Sequence, residues 1–131
     1  FDVRLASTPD AGDSEIVNVV QPDVVVICDP DKLDARGCNG PPDVIVEILS
    51  PSTASVDCIT KLALYEAHGV REYWIVDPAN RAAELHANRL LTVRTLGDDG
   101  KFGVSTIHAP PERVSFATLP DVNIDCSRLF S

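Results

Sequence analysis

The sequence predicts an α/β (α+β) domain around a mixed sheet, and three observations carry that prediction. Residues 24–28 and 43–49 are continuous apolar runs rich in β-branched side chains, the pattern of strands buried on both faces. Residues 55–68 have helical start and stop signals and lie between the second run and a third, 73–76. Beyond it come short segments separated by turn residues, the pattern of a β-meander.

Taken in order, residues 1–15 are polar after a short apolar start, and residues 10–13 form a turn. An apolar stretch, 16–20, is interrupted by Pro22-Asp23 before the strand 24–28. Residues 29–42, rich in Asp, Gly and Pro, predict a loop leading to the strand 43–49. Ser50, Ser52 and Thr53 then supply hydroxyl caps, with Pro51 suited to a helix entrance, and Gly69 suits the C′ position. On this helix Ile59, Leu62, Ala63 and Glu66 share one side, while Lys61, Tyr65 and His68 form another stripe. The strand 73–76 is closed by an Asp77-Pro78 turn. A hairpin of 83–86 with 90–96 around Asn88-Arg89, two weaker strands at 102–108 and 113–118, and a helical turn at 125–131 complete the reading.

The 131 residues, 44% of them hydrophobic, suit one domain with one core, residues 1–131. No apolar run reaches the ~18 residues of a membrane span, and no signal segment opens the chain. Phe1 in first place suggests a chain trimmed at its N-terminus. Cys28, Cys38, Cys58 and Cys126 show no Cys-x-x-Cys spacing, so zinc and a disulfide scaffold are disfavoured. They read as reduced thiols of a cytoplasmic protein, although Cys28 and Cys38 could meet across a loop. A net charge of −9 argues against broad coating of nucleic acid, but not against a site whose carboxylates are offset by a metal ion.

Glu47 is the residue that asks for a chemical explanation, because it interrupts Val44-Ile45-Val46 and Ile48-Leu49 within a buried run. A buried carboxylate is costly unless a cation or good donors compensate. It is either a structural ion pair on an opened face or part of a site. Asp43 shares its strand face, but four residues of strand span about 13 Å, too far for one metal. If strands 22–28 and 43–49 pair antiparallel, Asp23 comes to lie beside Glu47, and Asp43 is left at the far end as a strand-start residue. Two carboxylates on neighbouring strands suit Mg²⁺, which keeps waters and phosphate oxygens around it. Lys61 could reach back from the helix to supply the cation a phosphodiester hydrolase needs, or be an ordinary solvated lysine. The helix start after Ser50 would favour a phosphate. Tyr65 reads as packing with its hydroxyl at the rim; His68 and His86 read as surface or helix-end residues, His108 is uninformative, and Trp74 belongs to the core.

The segments Gln21-Pro22-Asp23-Val24-Val25-Val26, 40–52, Lys61-x-x-x-Tyr65 and 69–78, with Leu119-Pro120-Asp121 and Leu129-Phe130 at the end, resemble the Uma-type family of candidate restriction endonucleases, long grouped as a domain of unknown function. The resemblance runs nearly continuously over residues 16–131. It implies the PD-(D/E)XK nuclease fold, a restriction-endonuclease-like mixed sheet with flanking helices. It also implies Asp23 and Glu47 as the metal-binding acids. The lysine usual two residues after the acid is replaced by Leu49, and Lys61 looks like its migrated substitute. The resemblance also implies an N-terminal helical segment, which this sequence is expected to lack.

Three functional readings follow. The first is a Mg²⁺-dependent endonuclease (Mn²⁺ substituting) with Asp23, Glu47 and Lys61 as its catalytic set, acting on DNA as a homodimer away from membranes. The second is an inactive nuclease fold serving as a binding or oligomerisation module, favoured by the acidic charge and displaced lysine. The third is a small-molecule phosphohydrolase using the same carboxylates.

Overall fold

The computed structural model describes residues 1–6, 17–50, 56–78 and 89–130. In chain order these form β1 (Val3–Ala6), β2 (Val17–Val20), β3 (Val24–Val26), a 3₁₀ turn (Pro30–Lys32), β4 (Leu33–Asp34), β5 (Gly37–Asn39) and β6 (Val44–Ile48). The helix α1 (Val56–Ala67) and β7 (Glu72–Asp77) come next, then β8 (Leu90–Thr95), β9 (Thr106–His108), β10 (Arg113–Ser115), β11 (Asn123–Asp125) and α2 (Cys126–Leu129). The central sheet has five strands in the order β3-β6-β7-β8-β9. β6 and β7 run parallel, joined over α1, and the other pairs are antiparallel, so the sheet is mixed as expected.

In β6 and β7 the apolar runs are explained by burial on both faces, whereas β3, expected to be equally buried over 24–28, is an edge strand with Val24 50% exposed and Cys28 exposed beyond its end. Ile45 and Tyr73 point to one side, where they pack with Tyr65, Val70, Val3, Leu5 and Cys38. Val44, Trp74 and Val76 point to the other, against Val114, Phe116, Cys126 and Phe130. The Trp74 and Phe116 rings lie 4.3 Å apart. Burying such an aromatic side chain stabilises by about 2–3 kcal/mol.

The loop expected at 29–42 contains structure that its composition hides. β5 pairs parallel with β1 (Val3 opposite Cys38) and antiparallel with β4, in a second sheet of order β2-β1-β5-β4. Gly37 makes this possible. Its φ is +118°, and a Cβ there would sit 2.1 Å from the Asp2 carbonyl oxygen that accepts the Cys38 amide. Gly37→Ala is therefore expected to cost about 3 kcal/mol, from left-handed backbone strain plus a clash with main chain. Gly40→Ala, with φ +100° but open space around its Cβ, should cost about 1 kcal/mol. Urea denaturation of the two variants tests this; equal losses would remove the close approach as the cause.

α1 ends as its sequence indicates. Gly69, at φ +77°, donates to Glu66 O, and Val70 donates to Tyr65 O, the double closure of a Schellman motif. Its inner face is the one that carries Tyr65. Ile59 is 72% exposed and Ala63 is exposed, while Leu62, Leu64 and Tyr65 pack inward. Of the expected elements, the turn at 10–13, the caps Ser52 and Thr53, the helix start near 55 and the strand 83–86 lie outside the described residues. The helical turn near the C-terminus is α2, capped by the Asp125 side chain. Cys28 is exposed while Cys38 and Cys126 are buried, and all three are free thiols. No helix of the described residues is long and apolar enough to cross a membrane.

Candidate active site

The antiparallel register of β3 and β6 sets Val24 opposite Val46, Val25 opposite Ile45 and Val26 opposite Val44. One step outward, the same register sets Asp23 opposite Glu47. Side chains at opposed positions share a face and have Cβ atoms about 5 Å apart. Both acids therefore belong to the α1 side of the central sheet, together with Val25 and Ile45. Asp43, at the other end of the pairing, accepts from Cys28 N at 2.7 Å and lies 3.7 Å from Arg71 Nε. It is a strand-end residue, apart from the Asp23–Glu47 pair.

Glu47 is 7% exposed, and its surroundings account for its tolerance there. The Tyr65 hydroxyl donates to Oε1 at 2.9 Å, and Lys61 Nζ stands 3.4 Å from the same oxygen. Burial pushes the Glu47 carboxyl above the ordinary glutamate range; the Tyr65 hydrogen bond and the Lys61 charge pull it back, and the Asp23 charge raises it further. Asp23 is exposed, and its Oδ2 accepts the Ile48 amide at 2.7 Å. Among the described residues, each acid is thus held by one oxygen and leaves its second oxygen without a donor.

Lys61 is half-buried, with 26% of its side chain exposed, and it is turned toward the sheet. Its spacing of four from Tyr65 explains why both reach Glu47 from α1. His68, third in the stripe, has Nδ1 2.8 Å from Leu64 O and Nε2 2.9 Å from Ala6 O, so it ties α1 to β1. Leu49 occupies the position two after Glu47 and donates its amide to Val76 O. Ser50 is exposed, and the helix entrance beyond it lies outside the described residues.

Two features escaped the sequence reading. The Tyr65 hydroxyl contacts the acid itself, inside the protein rather than at a rim. Glu72, 1% exposed on the opposite sheet face, accepts from Ala117 N at 2.9 Å, Thr118 N at 2.8 Å and Trp74 Nε1 at 3.3 Å. A signal existed for one further relation: Pro22-Asp23-Val24 and Pro42-Asp43-Val44 repeat the same tripeptide at the starts of the two paired strands. Among the described residues no group of three or more His, Cys, Asp or Glu side chains is arranged to hold a metal ion.

Comparison with known proteins bears on this arrangement. Residues 15–125 match the model of the Uma2 family, described as "Putative restriction endonuclease". The fold is similar to the crystal structure of a "putative nuclease belonging to DUF820" from Anabaena variabilis ATCC 29413, with TM-score 0.62 and 18% identity. The match covers 86% of this chain and 60% of that one, so the chain spans less than two thirds of the neighbour's length. No curated protein matches the chain. With the family model covering most of its length and the fold shared with that neighbour, the chain belongs to the Uma2 family.

Proposed function

We propose that this chain carries the core of a Mg²⁺-dependent endonuclease that hydrolyses DNA phosphodiester bonds, with Asp23 and Glu47 holding the ion and Lys61 acting beside it. One observation supports this above the others: two opposed carboxylates, each anchored through one oxygen with the other left over. The donor chemistry fits. An all-oxygen pair suits a hard divalent ion that keeps several waters and takes the rest of its shell from phosphate. Burial above all, with a smaller part from the Asp23 charge, raises the Glu47 pKa, and a cation between the two acids would offset both effects.

When bound there, Mg²⁺ supplies charge for the phosphate oxygens and lowers the pKa of a coordinated water. The chain's own residues do the rest. Asp23 and Glu47 are held in fixed opposition by the ladder, and burial keeps water from competing around Glu47. Lys61 places an ammonium next to Glu47 Oε1, where it can hold an attacking water or a phosphate oxygen. With a net charge of −9, DNA contact depends on the ion and local cations rather than on the whole surface. Cleavage of both strands favours a homodimer, and free thiols favour the cytoplasm.

The test is Mn²⁺ or Mg²⁺ titration by calorimetry on this chain and its Glu47→Ala variant. One ion bound by the parent and none by the variant is expected. A second reading, an inactive nuclease fold used for binding or assembly, draws on Leu49 in the usual lysine position and on the two-acid site. Absence of metal binding in both proteins would put that reading ahead.

A further inference from the structure

Glu47 receives two donors, and both use the same oxygen. An ion pair alone would not need this, since an ammonium can settle between the two oxygens of a carboxylate. The Tyr65 hydroxyl is what selects Oε1. Its ring is completely buried and packs edge-on against Tyr73, with centroids 5.0 Å apart and planes at 76°. Val70, whose amide closes the helix on Tyr65 O, shares the same cluster. The hydroxyl therefore has little freedom to follow the carboxylate if it turns.

We infer that Tyr65 is a positioning residue that holds Glu47 by Oε1, so that only Oε2 is offered to the ion, and that this favours Mg²⁺ or Mn²⁺ over Ca²⁺. This rests on the metal-binding reading of Asp23 and Glu47 above. The physical basis is coordination number. Ca²⁺ gains from a glutamate that binds through both oxygens in a loose shell of six to eight ligands. A small octahedral ion takes one oxygen per carboxylate and fills its shell with water. A carboxylate pinned through one oxygen suits the second ion and handicaps the first. Hydrogen-bonded partners behind a ligand commonly change metal affinity by about 10–100-fold when removed. Asp23, pinned by the Ile48 amide through Oδ2, presents the same one-oxygen pattern from the other strand.

Calorimetric affinities for Mn²⁺ and Ca²⁺ on the parent, Tyr65→Phe, Tyr73→Phe and Glu47→Ala test the inference, with thermal midpoints confirming that each is folded. The parent should bind Mn²⁺ at least about 10-fold more tightly than Ca²⁺. In Tyr65→Phe, which keeps the ring, Mn²⁺ affinity should fall about 10-fold while Ca²⁺ affinity holds or rises, so that the preference collapses. Tyr73→Phe should keep it. If Tyr65→Phe weakens both ions equally, or neither, the selection is not made by this hydroxyl and the inference fails while the metal site stands. A parent that binds Ca²⁺ as tightly as Mn²⁺ overturns it without any variant. Absence of Mn²⁺ binding in the parent, or binding that survives Glu47→Ala, would remove the site itself and the inference with it.

Discussion

Glu72→Ala is expected to destabilise the protein by about 4 kcal/mol, with the thermal midpoint falling on the order of 15 °C. The Glu72 carboxylate is almost fully buried and meets only donors: two main-chain amides and the Trp74 indole. A carboxyl group accepting on both oxygens matches that set. Alanine leaves Ala117 N and Thr118 N without their acceptor, at about 1–3 kcal/mol each when they stay buried, and opens a cavity beside Trp74. Glu72→Gln keeps one acceptor and turns an amide group toward a donor, so roughly half the loss is expected. Urea denaturation measures both. Because Glu72 lies on the face away from Asp23 and Glu47, Mn²⁺ affinity of the folded variant should be unchanged. A loss under about 1 kcal/mol for Glu72→Ala would show that the segment after β10 does not depend on it.

In protein carrying the complete chain, Lys61→Ala should reduce Mg²⁺-dependent cleavage by about 10²–10³-fold while leaving Mn²⁺ binding nearly intact. The ammonium lies 3.4 Å from Glu47 Oε1, and under the proposed function the ion takes the opposite oxygen, so removal would take away a charge beside the phosphate rather than a ligand of the ion. Lys61→Arg should restore little, because a planar guanidinium does not reproduce a compact ammonium at a half-buried position. Single-turnover cleavage and calorimetry on the same preparation separate the two effects. Parallel loss of ion and activity would make Lys61 a counter-ion that merely keeps Glu47 in place.

What the sequence made legible follows from periodicity. Glu47 was visible because a charge interrupts a run that had to be buried on both faces, and Asp23 because two antiparallel strands bring opposite ends together. Gly69 marked the helix end through its freedom at positive φ. β1 and β5 were not legible. Gly37-Cys38-Asn39 has no apolar alternation, and its strand character comes from pairing with Val3 and Arg4 far away in the chain. Which of the two stripes of α1 meets the sheet was not legible, since propensity and hydrophobicity do not decide it and the apolar Ile59 turns out to be exposed. Tyr65 was on the correct stripe, but an aromatic residue facing a sheet usually just packs. Only its distance to a carboxylate separates the two roles.

The paired Pro-Asp-Val segments give the two strands a local twofold pattern. Asp23 accepts the amide of Ile48, one residue past its partner, and Asp43 accepts that of Cys28, one past its own. Each aspartate acts as a detent, and the two click into place only together. A slip of two residues would keep every side chain on its proper face, so burial alone does not forbid it. It would, however, release both detents at once. The alignment of Asp23 with Glu47 is therefore governed partly from the far end of the ladder, by a residue outside the Asp23–Glu47 pair.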